Sequence, residues 1–122
     1  MTPIALPGLS LRRGSVLLVL FPHSNLRTAK PRPALVVQAD NLDTGLSQVI
    51  VAMITSRMFR ANHPSRVVIH LESSEGKASG LLADSVVMTD NLATIAENAI
   101  DRVIGVLPMR SVDKSLHHTL GI

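Results

Sequence analysis

The chain has 122 residues, 46% hydrophobic and 2% aromatic, with 12 Lys and Arg against 9 Asp and Glu for a formal net charge of +3. That length fits one domain, spanning 1–122, which can bury a core without metal or disulfide support. The absence of cysteine excludes a disulfide framework, a thiolate nucleophile and a cysteine zinc site. The longest apolar run, Val16 to Phe21, is far too short to cross a bilayer. The apolar residues of MTPIALPGLSLRRG precede Arg12 and Arg13, the reverse of a secretory signal, so a cytoplasmic protein without membrane contact is expected.

Taken in chain order, residues 1–11 read as a flexible N-terminal extension. VLLVLF at 16–21, ALVVQ at 34–38, VIVAMIT at 49–55, RVVIHL at 66–71, SVVM at 85–88 and RVIGVL at 102–107 are β-branched or leucine-rich runs of strand length. PHSN, DNLDTG, NHPS and SSEGKASG between them carry turn chemistry. The tail changes period. Pro108 at a helix N1 position, then Met109, Val112, Leu116 and Leu120 at spacings of three or four, and Gly121 as a stop predict an amphipathic C-terminal helix. The expected class is mainly β (α+β): a small, strongly bent barrel or sandwich closed by that helix.

Charge is uneven. Residues 1–66 hold eight Lys and Arg but only Asp40 and Asp43, a net +6, while residues 67–122 net −3. An anionic partner on a face built from the first half is implied, nucleic acid being the commonest candidate. With only Phe21 and Phe59 aromatic, extensive base stacking is not expected. Within this basic half, Arg32 stands between Pro31 and Pro33. Proline fixes its own φ near about −65° and pushes the preceding residue into extended conformations. Arg32 is therefore presented from a stiff backbone, as an aimed charge requires. Taken alone, a surface arginine at a strand start explains it better.

The histidines do not point to a metal. His117 and His118 are adjacent, so a helix turns them about 100° apart, and His63 and His70 share no ligand spacing with a carboxylate cluster. Gly76, Gly80 and Gly105 read as turn or bulge residues, since no phosphate-cradling motif is present.

Arg12-Arg13-Gly14 before a strand, FPHSNLRTAKPRPALVVQADN, VIVAMITSR, GLLADSVVMTDNLATI and DRVIGVLP together resemble the successive blocks of the MazF/PemK family, the toxins of bacterial toxin-antitoxin pairs. The resemblance runs from about residue 12 to the C-terminus. It implies an SH3-like small barrel of the CcdB/MazF type with a C-terminal helix, a homodimer, a cognate antitoxin as partner, and cofactor-free, metal-independent cleavage of single-stranded RNA. It places the family's active-site arginine and threonine on Arg32 and Thr55. Lys30, Ser56 and Arg57 flank them as expected RNA contacts.

Metal-free RNA cleavage needs a base for the 2′-OH proton, an acid for the departing 5′ oxygen, and donors to hold the charge gathering on phosphorus. A guanidinium matches phosphate oxygens in a two-pronged fork, and a threonine hydroxyl can orient the same phosphate. The chain departs from the family at the base. Relatives often carry a glutamate before the arginine, and here no carboxylate occurs from residue 1 to 39. His23 is the nearest group of suitable ordinary pKa, though a loop histidine is more often simply solvated, and the base stays open. The second departure lies at MTDNLATI. Asp90 and Asn91 match the family's acid-amide pair and are expected to read base edges, or else to form a turn; Ala93 replaces the family's basic residue.

Two other readings stand beside the ribonuclease. One is a non-catalytic SH3-like module that binds RNA or protein. The other is a gyrase poison of the CcdB type, which acts through a tryptophan near its C-terminus; this chain contains no tryptophan.

Overall fold

The computed structural model describes residues 11–21 and 30–122. Six strands follow in order: β1 (Ser15–Phe21), β2 (Lys30–Val36), β3 (Gln48–Thr55), β4 (Arg66–Ile69), β5 (Ser85–Ala96) and β6 (Ile100–Val106). A short helix α1 (Ser74–Ser79) precedes β5, and α2 (Arg110–Leu120) ends the chain. Every pairing is antiparallel, in the order β4-β5-β3-β2-β1-β6. The mainly-β class with a C-terminal helix is as the sequence predicts.

Side chains alternate across the sheet, yet both faces are buried. Val16, Leu35, Ala52, Ile54 and Val87 pack with Val112 and Leu116 of α2. Their neighbours Leu17, Val19, Ala34, Val36 and Val51 form a second cluster with Ile95 and Ile100. A strand covered on both sides needs apolar residues at every position, which is why β1 to β3 read as continuous apolar runs. Half-buried Leu11 packs against the second cluster; the rest of the expected N-terminal extension lies outside the described residues, as does the PHSN turn.

Several boundaries differ from the sequence reading. β2 begins at Lys30, so the Pro31-Arg32-Pro33 stretch lies inside a strand. β4 stops at Ile69, and β6 begins two residues early at Ile100. Pro108 lies outside α2, whose cap is Met109, and Leu120 stays exposed.

SSEGKASG is a helix and not a turn. The Ser73 hydroxyl caps it by accepting from the Gly76 N–H at 3.0 Å. At six residues it is too short to display a helical period. Gly80 ends it at φ +74°, and a Cβ there would fall 2.1 Å from the Ile104 carbonyl oxygen. Only glycine fits both demands.

β5 runs through Asp90 and Asn91, which form no turn. Ala52 pairs with Leu92 but Met53 with Met88, so Thr89, Asp90 and Asn91 are inserted opposite a single step of β3. The bulge bends β5. Fully buried Thr89 anchors it: its hydroxyl donates to the Ser65 carbonyl oxygen at 2.8 Å and lies 2.8 Å from the Ser115 hydroxyl and 2.7 Å from that of Thr119.

A candidate active site at the edge of the sheet

The β2–β3 pairing ends at Ala34 and Met53, each two residues from Arg32 and Thr55 respectively. Pro31 and Pro33 lack amide hydrogens, so neither can donate to β3 there. Where the pairing ends, Arg32, Thr55, Ser56 and Arg57 line one groove of about 480 Å³ together with Leu18, Pro33, Ile54 and Ile104.

The Thr55 hydroxyl accepts from the Arg57 N–H at 3.2 Å, forming the turn that leaves β3. With a lone pair so engaged, its own hydrogen remains available to donate to a phosphate oxygen. The Arg32 and Arg57 side chains are exposed, and neither guanidinium is tied up in a hydrogen bond or ion pair among the described residues. By contrast, Arg13 and Arg66 are committed internally. Arg13 donates from Nε to the Val37 carbonyl oxygen at 3.0 Å and pairs with Asp113 of α2. Of the first half's cations among the described residues, Arg32 and Arg57 line the groove.

Arg102 of β6 lines the same groove and was not singled out by sequence. Within RVIGVL it looks like an ordinary strand residue, and only the strand order brings it there. Arg102 pairs with Leu18 of β1, which pairs on its other side with Pro33. No carboxylate or histidine is among the described residues of the groove lining.

The remaining expected contacts are elsewhere or outside the described residues. Lys30 is exposed at the start of β2 and does not line the groove. Asp90 and Asn91 sit at the β5 bulge, away from it. Asp90 takes a two-pronged bond from Arg66, Nε to Oδ1 at 2.9 Å and Nη2 to Oδ2 at 2.6 Å. That hydrogen bond holds the Asp90 carboxyl below its ordinary range. His23 lies outside the described residues. Among the described residues no three His, Asp or Glu sit where they could share a metal ion, and no helix is long and apolar enough to cross a membrane.

Guanidiniums and a threonine hydroxyl thus surround one open groove of the antiparallel sheet, and comparison gives the class of protein. Residues 12–119 match the PemK-like, MazF-like toxins of type II toxin-antitoxin systems, and the chain belongs to that family. A relative from Mycobacterium bovis, Endoribonuclease MazF2, is 32% identical over 107 residues, covering 84% of this chain and 90% of its own. Among solved structures, the Mycobacterium tuberculosis toxin MazF-mt6 superposes with a TM-score of 0.63 at 25% identity, covering 88% of this chain and 92% of its own. A mycobacterial endoribonuclease in complex with its cognate antitoxin matches with a TM-score of 0.73 at 19% identity, over 93% and 97%. At that identity the second likeness is one of fold.

Proposed function

We propose that this chain is an endoribonuclease toxin that cleaves single-stranded RNA at the Arg32–Thr55 groove and is restrained by a cognate antitoxin. The observation that carries the reading is the meeting of Arg32 and Thr55, 23 positions apart in sequence, in the lining of one open groove. The 2′ oxygen of the nucleotide attacks the neighbouring phosphorus and loses its proton. The P–O5′ bond breaks, the 5′ oxygen takes up a proton, and the products are a 2′,3′-cyclic phosphate and a 5′-hydroxyl. Arg32 grips two non-bridging oxygens as negative charge builds on them, and the Thr55 hydroxyl fixes their orientation. No group of ordinary basicity lines the described groove, so the proton acceptor is not assigned to any of its residues. A homodimer and a cytoplasmic site of action complete the reading.

The test is to incubate the pure protein with mixed single-stranded RNAs in excess EDTA and map the new ends. Cleavage leaving cyclic phosphates is the expected result. Intact RNA, or activity that returns only with an added divalent ion, would defeat it.

A further inference from the structure

Arg102 and Thr55 stand on strands separated by β1 and β2. At about 4.8 Å per strand spacing, their backbones are roughly 14 Å apart along a flat sheet, less where it curls. Two groups so separated are better placed to serve successive phosphates than one. The Arg102 side chain is 68% exposed, and its only ion pair among the described residues is with Asp101 at 3.9 Å; such an exposed pair holds the cation weakly. Leu82 lines the same groove while 95% exposed. Leu82 follows the Gly80 turn that seats α1 against Ile104, which fixes the leucine at the rim.

A cation and an exposed aliphatic side chain on one groove suit the two halves of a nucleotide, an anionic phosphate and an apolar base face. We propose that this end of the groove is a second nucleotide subsite, with Arg102 holding the phosphate next to the scissile one and Leu82 supporting a base. The inference rests on the reading of the groove as an RNA-cleaving site and extends it to a residue to which the sequence assigned no role.

The test uses a short RNA with a 2′-deoxy substitution at the mapped cleavage position, so that binding is measured without turnover. Arg102→Gln weakens binding about tenfold and makes the log-log salt dependence shallower by about 0.7, the contribution of one phosphate on a single strand. Arg102→Lys keeps the slope. Leu82→Ser weakens binding severalfold with the slope unchanged, because no charge is removed. On cleavable RNA, the loss in Arg102→Gln appears in KM.

An Arg102→Gln protein with wild-type affinity and slope overturns the subsite, as does a loss confined to kcat, which would put Arg102 on the reacting phosphate. Unchanged binding by Leu82→Ser overturns the base contact. Selective loss of binding to an acidic antitoxin peptide, with RNA binding intact, would assign this end to a protein instead. Should the wild type neither bind nor cut RNA, the ribonuclease reading and the subsite both fall; should it cut RNA and Arg102→Gln match it throughout, only the subsite does.

Discussion

Arg32 joins a local constraint to a proposed role. Its flanking prolines stiffen the backbone, and it lines one groove with Thr55. If its task is two-pronged recognition of a phosphate whose charge rises in the transition state, a lysine restores charge without the fork. Arg32→Lys and Arg32→Ala are expected to lower kcat by about 100-fold or more, with stability within about 0.5 kcal/mol of wild type because the side chain is exposed. Near-normal turnover by Arg32→Lys would reduce the arginine to an electrostatic anchor. Thr55→Val removes both the donor and the acceptor for Arg57 N–H, so a modest stability loss of about 1 kcal/mol should accompany a larger loss of rate. Glu97 poses a different question at this scale. It is 4% exposed, neither carboxylate oxygen has a hydrogen-bond partner among the described residues, and burial raises its pKa above the ordinary 4.5. The unfolded chain ionises this group first as pH rises, so its contribution to stability is full below that value and is lost on passing through the folded-state pKa. Urea midpoints of the wild type should therefore fall between pH 4 and 7 relative to those of Glu97→Gln. Parallel midpoints across that range would show that Glu97 is not the cause.

Among the elements, α1 decides the shape of the groove's far end. A Cβ on Gly105 would lie 2.3 Å from the Ala78 carbonyl oxygen, a backbone atom that cannot swing aside. Gly105→Ala is expected to cost about 1–3 kcal/mol and to reduce activity too, since moving α1 displaces Leu82; an unfolding midpoint equal to wild type would contradict this packing. The sequence offered no sign of α1, because six residues cannot show a helical period and a serine cap looks like turn chemistry. The long strands were legible because burial on both faces left continuous apolar runs. β5 was legible only as far as Met88: polar Asp90 and Asn91 resemble a turn, and it takes tertiary partners, Arg66 for the aspartate and the Thr89 hydroxyl network beside it, to keep the strand going. The site divided in the same way. Arg32 and Thr55 were expected from the family resemblance and line one groove, whereas Arg102 reaches that groove because β6 lies beside β1, a long-range pairing with no local trace.

At the scale of the whole molecule, the charge imbalance acquires a place. Arg13 and Arg66 spend their charge inside the fold, while Arg32, Arg57 and Arg102 face a groove with no lining carboxylate among the described residues. Such a surface attracts any polyanion before it selects one, so RNA affinity should fall steeply with salt, at a log-log slope of about −0.7 for each phosphate neutralised. An antitoxin with an acidic segment that folds on binding can exploit the same field. Blocking the groove is the most direct way for it to silence cleavage, because one contact then removes both substrate binding and the transition-state fork. RNA and antitoxin should accordingly compete: saturating antitoxin should abolish binding of uncleavable RNA, and Arg32→Ala should weaken both ligands. If antitoxin bound fully while RNA affinity stayed unchanged, inhibition would have to act from another face of the barrel, and the cationic groove would belong to RNA alone.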